Sequence, residues 1–231
     1  MKTSIISVAF VVFSVANTFA ASYIFNNGSS ATANGVIDLS NNSFRSSTIA
    51  GASITGTGTY GNWTSAGPGV IAVGVFNTDA LASLQKSSLI AAFTNTFGSG
   101  TFGAGPSGQR GTFSLSPAAL TIAGSAYADK NMYFFAGNGS TFENSTEFLV
   151  LKSSTKWLAT DDAIPTATTI QFLSSNSTVL FGTNVSDVRT TNTDSSTTAG
   201  FKMAAPVAIP EPSAALLGAI GALGLLRRRR N

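Results

Sequence analysis

The chain has no histidine and no cysteine, and only 10% of its 231 residues are charged, against about 25% in typical soluble domains. Without these two residue types, Ser-His-Asp and Cys-His triads, Cys/His zinc sites, thiol redox chemistry and disulfide bonds are all excluded. Few side chains remain that could carry acid–base chemistry. We therefore expect a protein that is not an enzyme and that binds no cofactor.

The net charge of +3 is located at the two ends of the chain. Between residues 22 and 209 there are eight basic and nine acidic residues, and the surplus of positive charge lies in Lys2 and in Arg227, Arg228, Arg229 and Arg230. The body therefore has no excess of positive charge to attract a phosphate backbone. No nucleic-acid partner is expected.

The first 20 residues have the three parts of a secretory signal peptide. Lys2 supplies the positive charge, Ile5 to Val15 form an apolar stretch, and Thr18 and Ala20 place small residues before a cleavage site. We predict cleavage after Ala20, which implies the Sec export machinery as a partner. The alternative is a buried N-terminal helix of the fold.

The last 22 residues combine a rigid motif, an apolar segment and a basic end. Pro210, Glu211 and Pro212 precede the uncharged segment from Ser213 to Leu226, and four arginines follow it. A helix of 14 residues spans about 21 Å, which is short for the roughly 30 Å of a bilayer core. We expect a transient inner-membrane anchor whose arginines stay on the cytoplasmic side. An ordinary C-terminal anchor or a buried helix is the alternative.

This order of Pro-Glu-Pro, short apolar helix and arginine cluster resembles the PEP-CTERM sorting signal of exported bacterial proteins. The resemblance covers residues 210–231 and is strengthened by the signal peptide at the other end of the chain. It implies recognition by an exosortase, a membrane protease that removes the tail and delivers the protein to the cell surface or the extracellular medium. It names a route of delivery and no activity.

The segment from 21 to 188 is predicted to form one all-β domain, a two-sheet β-sandwich of jelly-roll type. Short β-branched and aromatic runs alternate there with Gly, Asn, Ser and Pro. The predicted strands are Tyr23 to Phe25, Gly35 to Leu39, Ser53 to Tyr60, Val70 to Phe76, Arg110 to Leu115, Met132 to Ala136, Glu147 to Lys152, Thr169 to Leu173 and Thr178 to Phe181. The runs starting at Met132 and Phe148 are almost continuously apolar, which predicts central strands buried on both faces.

One helical segment is predicted from Asp79 to Phe93, with Asp79 as its cap and a break at Ser87-Ser88. Residues 189–209 begin with a Ser/Thr-rich tract that offers little to bury, so they are predicted to be a linker. The glycine pattern G-x-G-x-x-G occurs three times, but never between a strand and a helix. Glycine hairpins or bulges explain it better than a dinucleotide site.

Two sets of residues remain as candidates for chemistry or binding. Trp63 and Trp157 are candidate contacts for sugar rings, with core packing as the favoured alternative. Carboxylate catalysis would need two acids across a cleft, and the sequence offers the clusters Glu143/Glu147, Asp161/Asp162 and Asp187.

The sequence as a whole predicts a noncatalytic cell-surface or extracellular-matrix protein associated with exopolysaccharide. A secreted carbohydrate-binding module or a carboxylate-based glycan hydrolase is the alternative.

Overall fold

The computed structural model describes residues 23–28, 34–42, 44, 67, 69–102, 111–116, 125–158, 168–188 and 198–207. Within them the chain is all-β with one short α-helix, as predicted. The strands are β1 (Tyr23–Asn26), β2 (Val36–Ile37), β3 (Val70–Phe76), β4 (Phe93–Thr101), β5 (Ser114–Leu115), β6 (Asn131–Gly137), β7 (Phe148–Lys156), β8 (Thr168–Gln171), β9 (Ser177–Phe181), β10 (Thr183–Val188) and β11 (Thr198–Lys202). A 3-10 helix (Thr78–Ala82) and α1 (Lys86–Ala92) lie between β3 and β4.

The strands form three sheets. The largest has five antiparallel strands in the order β4-β3-β6-β7-β9. The two smaller sheets have the orders β5-β1-β8 and β10-β11-β2, and each contains one parallel pair, β1 with β8 and β11 with β2. Strands from the beginning of the chain are thus paired with strands from its last third.

The five-stranded sheet is buried on both faces at its centre, as the apolar runs predict. In β6, Met132 and Phe134 join a core cluster on one face, while Tyr133 and Phe135 join a second cluster on the other. The alternation follows from the two-residue period of a strand. The run starting at Phe148 in β7 alternates in the same way.

The two faces of this sheet are covered by different elements. The first cluster contains Phe25 of β1, Val36 of β2 and Phe201 of β11, so both small sheets contribute to it. The second contains Leu89 and Ala92 of α1. The sheet therefore has strands packed on one side and the helical segment on the other.

The helical segment is interrupted, but not where the sequence predicts. Its break lies at Leu84, which has a φ of 50°, and Ser87-Ser88 lie inside α1. The side chain of Asn77 accepts a hydrogen bond from the Asp79 amide at 3.1 Å, so Asn77 rather than Asp79 caps the 3-10 helix. The predicted last helical residue, Phe93, begins β4 instead.

The predicted linker over 189–209 is wrong for residues 198–207. β11 is the central strand of its sheet, and Phe201 and Met203 are 0% and 1% exposed. Beyond it, Ala204 bridges Phe148 of β7, and the Val207 amide donates to the Leu84 carbonyl at 2.8 Å. The folded body therefore includes residues well past 188, because apolar residues after the Ser/Thr-rich tract supply a core strand.

Several predicted elements lie outside the described residues. They are the signal peptide 1–20, the strand from Ser53 to Tyr60, residues 189–197 of the predicted linker and the sorting signal 210–231. No helix in the described part of the chain is long and apolar enough to cross a membrane.

Candidate functional site

Most of the predicted site residues lie outside the part of the chain that the structure describes. They are Ala20, Trp63, Pro210, Glu211, Pro212, Arg227, Arg228, Arg229 and Arg230. Among the candidates for sorting and for glycan contact, only Trp157 has a described position.

Trp157 is a core residue. Its side chain is 2% exposed, and its ring contacts the rings of Tyr23, Phe25, Phe97 and Tyr127 at centroid distances of 4.7 to 5.8 Å. A ring enclosed in this way has no free face for a sugar. The candidate glycan contact at Trp157 is therefore wrong, and the core-packing alternative applies.

The sequence reasoning missed a polar cluster at the turn that follows β2. Asp38, only 8% exposed, accepts hydrogen bonds from the Asn42 amide at 2.7 Å and from the Asn42 side-chain nitrogen at 3.0 Å. The Asn41 amide donates to the Asp38 carbonyl at 3.1 Å, and Asn41 has a φ of 65°. Asparagine tolerates this left-handed conformation better than most residues, which explains its place in the turn.

Two residues from distant strands complete the cluster. Glu147, the residue immediately before β7, accepts a hydrogen bond from the Leu39 amide at 2.8 Å. Lys202, the last residue of β11, donates from Nζ to Oδ1 of Asn41 at 2.8 Å. We call Asp38, Asn41, Asn42, Glu147 and Lys202 the Lys202 cluster.

The surroundings of Glu147 in the Lys202 cluster shift the pKa of its carboxyl group. Burial raises the pKa of the Glu147 carboxyl, and the nearby Asp38 carboxylate raises it further. The Leu39 amide and the Lys202 ammonium act in the opposite direction. The site thus holds two carboxylates, one ammonium group and two carboxamides where the ends of β2, β7 and β11 meet.

Among the described residues, the carboxylate that the structure places beside Glu147 is one that the sequence did not single out. Glu147 lies beside Asp38 rather than acting with Glu143, which is exposed and whose backbone carbonyl accepts from Lys86. Asp161, Asp162 and the side chain of Asp187 lie outside the described residues. Among the residues described, no three His, Cys, Asp or Glu side chains are grouped to hold a metal ion.

A second polar group, centred on Asn27, is fully enclosed. The Asn27 side chain is 1% exposed and donates to the carbonyls of Asn34 and Gly111 at 2.7 and 2.8 Å. Its Oδ1 accepts from the Phe113 amide at 3.0 Å. All of its partners are backbone groups, so Asn27 has a structural role.

A small open pocket of about 110 Å³ lies on the surface of the described residues. The pocket is lined by Gly98 and Ser99 of β4, by Leu115 of β5 and by Ser116. None of these side chains is ionisable. This lining suits hydrogen bonding to a neutral ligand and not acid–base catalysis.

No protein-family model, curated protein or solved structure matches this chain.

Proposed function

We propose that this chain is a noncatalytic exported protein of the cell surface or extracellular matrix. The Sec machinery exports it, an exosortase processes it after a transient stay in the inner membrane, and the mature body associates with exopolysaccharide. The support for the route comes from the two ends of the sequence, where a signal peptide precedes the body and a PEP-CTERM-like tail follows it.

The position of the Pro-Glu-Pro motif next to the folded body carries the proposal that a protease processes the chain. The folded part extends to Val207, which is 56% exposed, and Pro210 follows only three residues later. The Pro-Glu-Pro motif is therefore attached directly to the end of a folded domain. Because proline restricts φ and Glu211 carries a carboxylate, we expect a protease to recognise this motif by its stiffness and its charge.

In the body, we propose that exposed hydroxyl groups provide the contact with polysaccharide. The exposed side chains of Thr96, Ser99 and Thr101 place hydroxyl groups along β4, an edge of the five-stranded sheet. Such groups exchange hydrogen bonds with polysaccharide hydroxyls. A glycan array probed with the mature protein tests this part of the proposal, and binding to no polysaccharide contradicts it.

Two variants of the proposed sorting motif separate the effect of its charge from the effect of its backbone conformation. Glu211→Gln keeps the extended backbone and removes the charge, whereas Pro210→Ala with Pro212→Ala keeps the charge and releases the backbone. In a host with an exosortase, both should accumulate as an unprocessed membrane-bound form, measured by fractionation and C-terminal mass spectrometry. Pro206→Ala, on the body side of the motif, is the matched control and should be processed normally. Normal processing of both motif variants would contradict the proposal.

We further propose that the body is a two-layer sandwich. The shared core cluster of β1, β2, β6 and β11 supports two small sheets packed on one face of the large one. The two parallel strand pairs depart from a purely antiparallel jelly roll. An experimental structure of the body tests the layer arrangement directly.

A carboxylate-based glycan hydrolase is the second candidate, because Asp38 and Glu147 lie close together and the pKa of Glu147 is raised. Both carboxylates, however, accept hydrogen bonds from the turn at 38–42. Release of reducing sugars from an exopolysaccharide that Glu147→Gln abolishes would favour this candidate.

A further inference from the structure

The contact between Lys202 and Asn41 joins a primary amine to a carboxamide. Nζ of Lys202 lies 2.8 Å from Oδ1 of Asn41, and the two residues are 161 positions apart in the chain. Because a carbonyl bond is about 1.2 Å long, the same Nζ lies at most about 4 Å from the carboxamide carbon. Reacting atoms in productive complexes are about 3 to 3.5 Å apart, so a small side-chain rotation suffices for attack.

Both partners are held by their backbones. Lys202 is paired with Thr183 of β10 on one side and with Ile37 of β2 on the other. Asn41 is fixed by the hydrogen bond that its backbone N–H donates to the Asp38 carbonyl and by its left-handed backbone. A fixed geometry of this kind removes most of the entropic cost of bringing an amine to an amide.

We propose that Lys202 and Asn41 form an intramolecular isopeptide bond. Nζ of Lys202 attacks the carboxamide carbon of Asn41, a C–N bond forms, and the bond between that carbon and Nδ2 breaks. The side-chain nitrogen of Asn41 leaves as ammonia. No oxidation, cofactor or second substrate is involved, because one amide replaces another.

Glu147 supplies the proton transfer that balances this reaction. The lysine ammonium must lose a proton before it attacks, and the leaving nitrogen must gain one. Glu147 shares the cluster with Lys202 and Asp38, and its desolvated carboxyl binds a proton more readily than an exposed glutamate does. Within the described part of the chain, its carboxylate makes no ion pair or hydrogen bond with Lys202, so the transfer runs through a bridging water: Glu147 accepts the proton from Nζ and returns it to Nδ2. The second ammonium proton leaves with the ammonia as ammonium ion.

The bond would fasten the last described strand, β11, to the turn that follows β2. This goes beyond the proposed route of delivery, since it concerns the body alone and does not depend on any sorting enzyme. It also differs from a disulfide in that a reducing environment leaves it intact.

Peptide mapping of the full chain provides the direct test. Trypsin cleaves after Arg45 and Arg189, so a cross-linked protein yields a branched peptide. This peptide joins the fragment that ends at Arg45 to the fragment that begins at Thr190, with Lys202 uncut. We expect this peptide in the purified protein, together with an intact mass reduced by one ammonia.

Three variants identify the reacting groups. Asn41→Gly removes the carboxamide and still accepts the positive φ, Lys202→Arg keeps the charge without a reactive amine, and Glu147→Gln leaves both reactants but removes the proton carrier. Each should abolish the branched peptide and restore the missing ammonia. Glu143→Gln, which removes an exposed carboxylate from the same β6–β7 connection, and Lys152→Arg, which replaces a lysine of β7, are the matched controls and should keep the bond.

The branched peptide distinguishes the isopeptide bond from other reactions that release ammonia. Cyclisation at Asn27-Gly28 or Asn138-Gly139 also releases ammonia, but it produces no branched peptide. A folded protein that shows cleavage after Lys202 and an unmodified Asn41 overturns the proposal. So does a branched peptide that persists in Lys202→Arg or in Asn41→Gly.

Discussion

At the scale of single residues, Asn27 shows how a polar side chain can replace missing secondary structure. It satisfies two carbonyls and one amide from segments that are not paired in any sheet. A buried backbone group without a partner is costly, which explains why this polar residue lies in the core. Asn27-Gly28-Ser29 matches the N-glycosylation sequon Asn-x-Ser/Thr, but the Asn27 side chain is enclosed and therefore inaccessible in the folded protein.

We expect Asn27→Ala to lower the free energy of unfolding by about 3 kcal/mol, since each buried group left unpaired costs about 1 to 3 kcal/mol. Urea denaturation measures the change. Asn144→Ala, at an exposed sequon in the β6–β7 connection, is the control and should change stability by less than about 0.5 kcal/mol. Equal effects of the two substitutions would show that the Asn27 bonds contribute little.

Glu147 predicts a pH dependence of stability. Its pKa is raised in the folded state above the ordinary 4.5, so the folded protein binds this proton more tightly than the unfolded chain does. Its contribution is therefore greatest below pH 4.5 and is lost as pH rises through the folded pKa.

We expect Glu147→Gln to remove this loss of stability on raising the pH. The comparison is made by denaturant unfolding in the Lys202→Arg background, where no isopeptide bond complicates the result. The fall in the free energy of unfolding with rising pH should persist in Glu143→Gln. If it also persists in Glu147→Gln, another titrating group causes it.

At the scale of elements, β11 decides where the folded body ends. It lies between β10 and β2, and it places Phe201 in the main core cluster. Removing it leaves β2 without a strand partner in its sheet and opens the core beneath Phe201. The strand is therefore part of the domain and not of a tether.

A truncation experiment checks this boundary. A chain from Ala21 to Thr197 should lose cooperative thermal unfolding, whereas a chain from Ala21 to Val207 should keep it, as followed by circular dichroism. Two cooperative transitions of similar midpoint would mean that β11 is dispensable.

The sequence predicts well those strands whose own residues have a strong preference for β structure. β3 is predicted at its observed bounds, and β6 and β7 are predicted within a few residues of theirs, because β-branched and aromatic runs favour strands wherever they are buried. β4 was missed because its Gly, Ser and Thr residues have weak preferences, and its pairing with β3 decides its conformation.

The Lys202 cluster was missed for a different reason. Asp38, Glu147 and Lys202 are far apart in the sequence, and no local motif links them. They meet only because β2 pairs with β11 and the start of β7 reaches the turn after β2. Predicting the cluster would have required the topology of the sheets.

At the scale of the whole molecule, the short distance between Val207 and Pro210 should limit the access of a protease to the proposed sorting motif. Three residues reach at most about 11 Å from the body. Inserting ten Gly/Ser residues after Val207 should therefore raise the rate of tail removal, measured as the appearance of the processed form after pulse labelling. The same insertion between Gly139 and Ser140, away from the tail, is the control, and slower removal with the tail insertion would contradict the prediction.

The pairing of β2 with β11 also determines when the domain can finish folding. Synthesis begins at the N-terminus, so β1 cannot pair with β8, nor β2 with β11, until the later strand has been made. β11 is almost the last part of the body to leave the ribosome. Neither small sheet can close on a partial chain, and contacts between distant segments form slowly. The core cluster to which both small sheets contribute therefore stays incomplete until synthesis of the body is nearly finished, which favours a loosely folded state that a narrow translocation channel can accept.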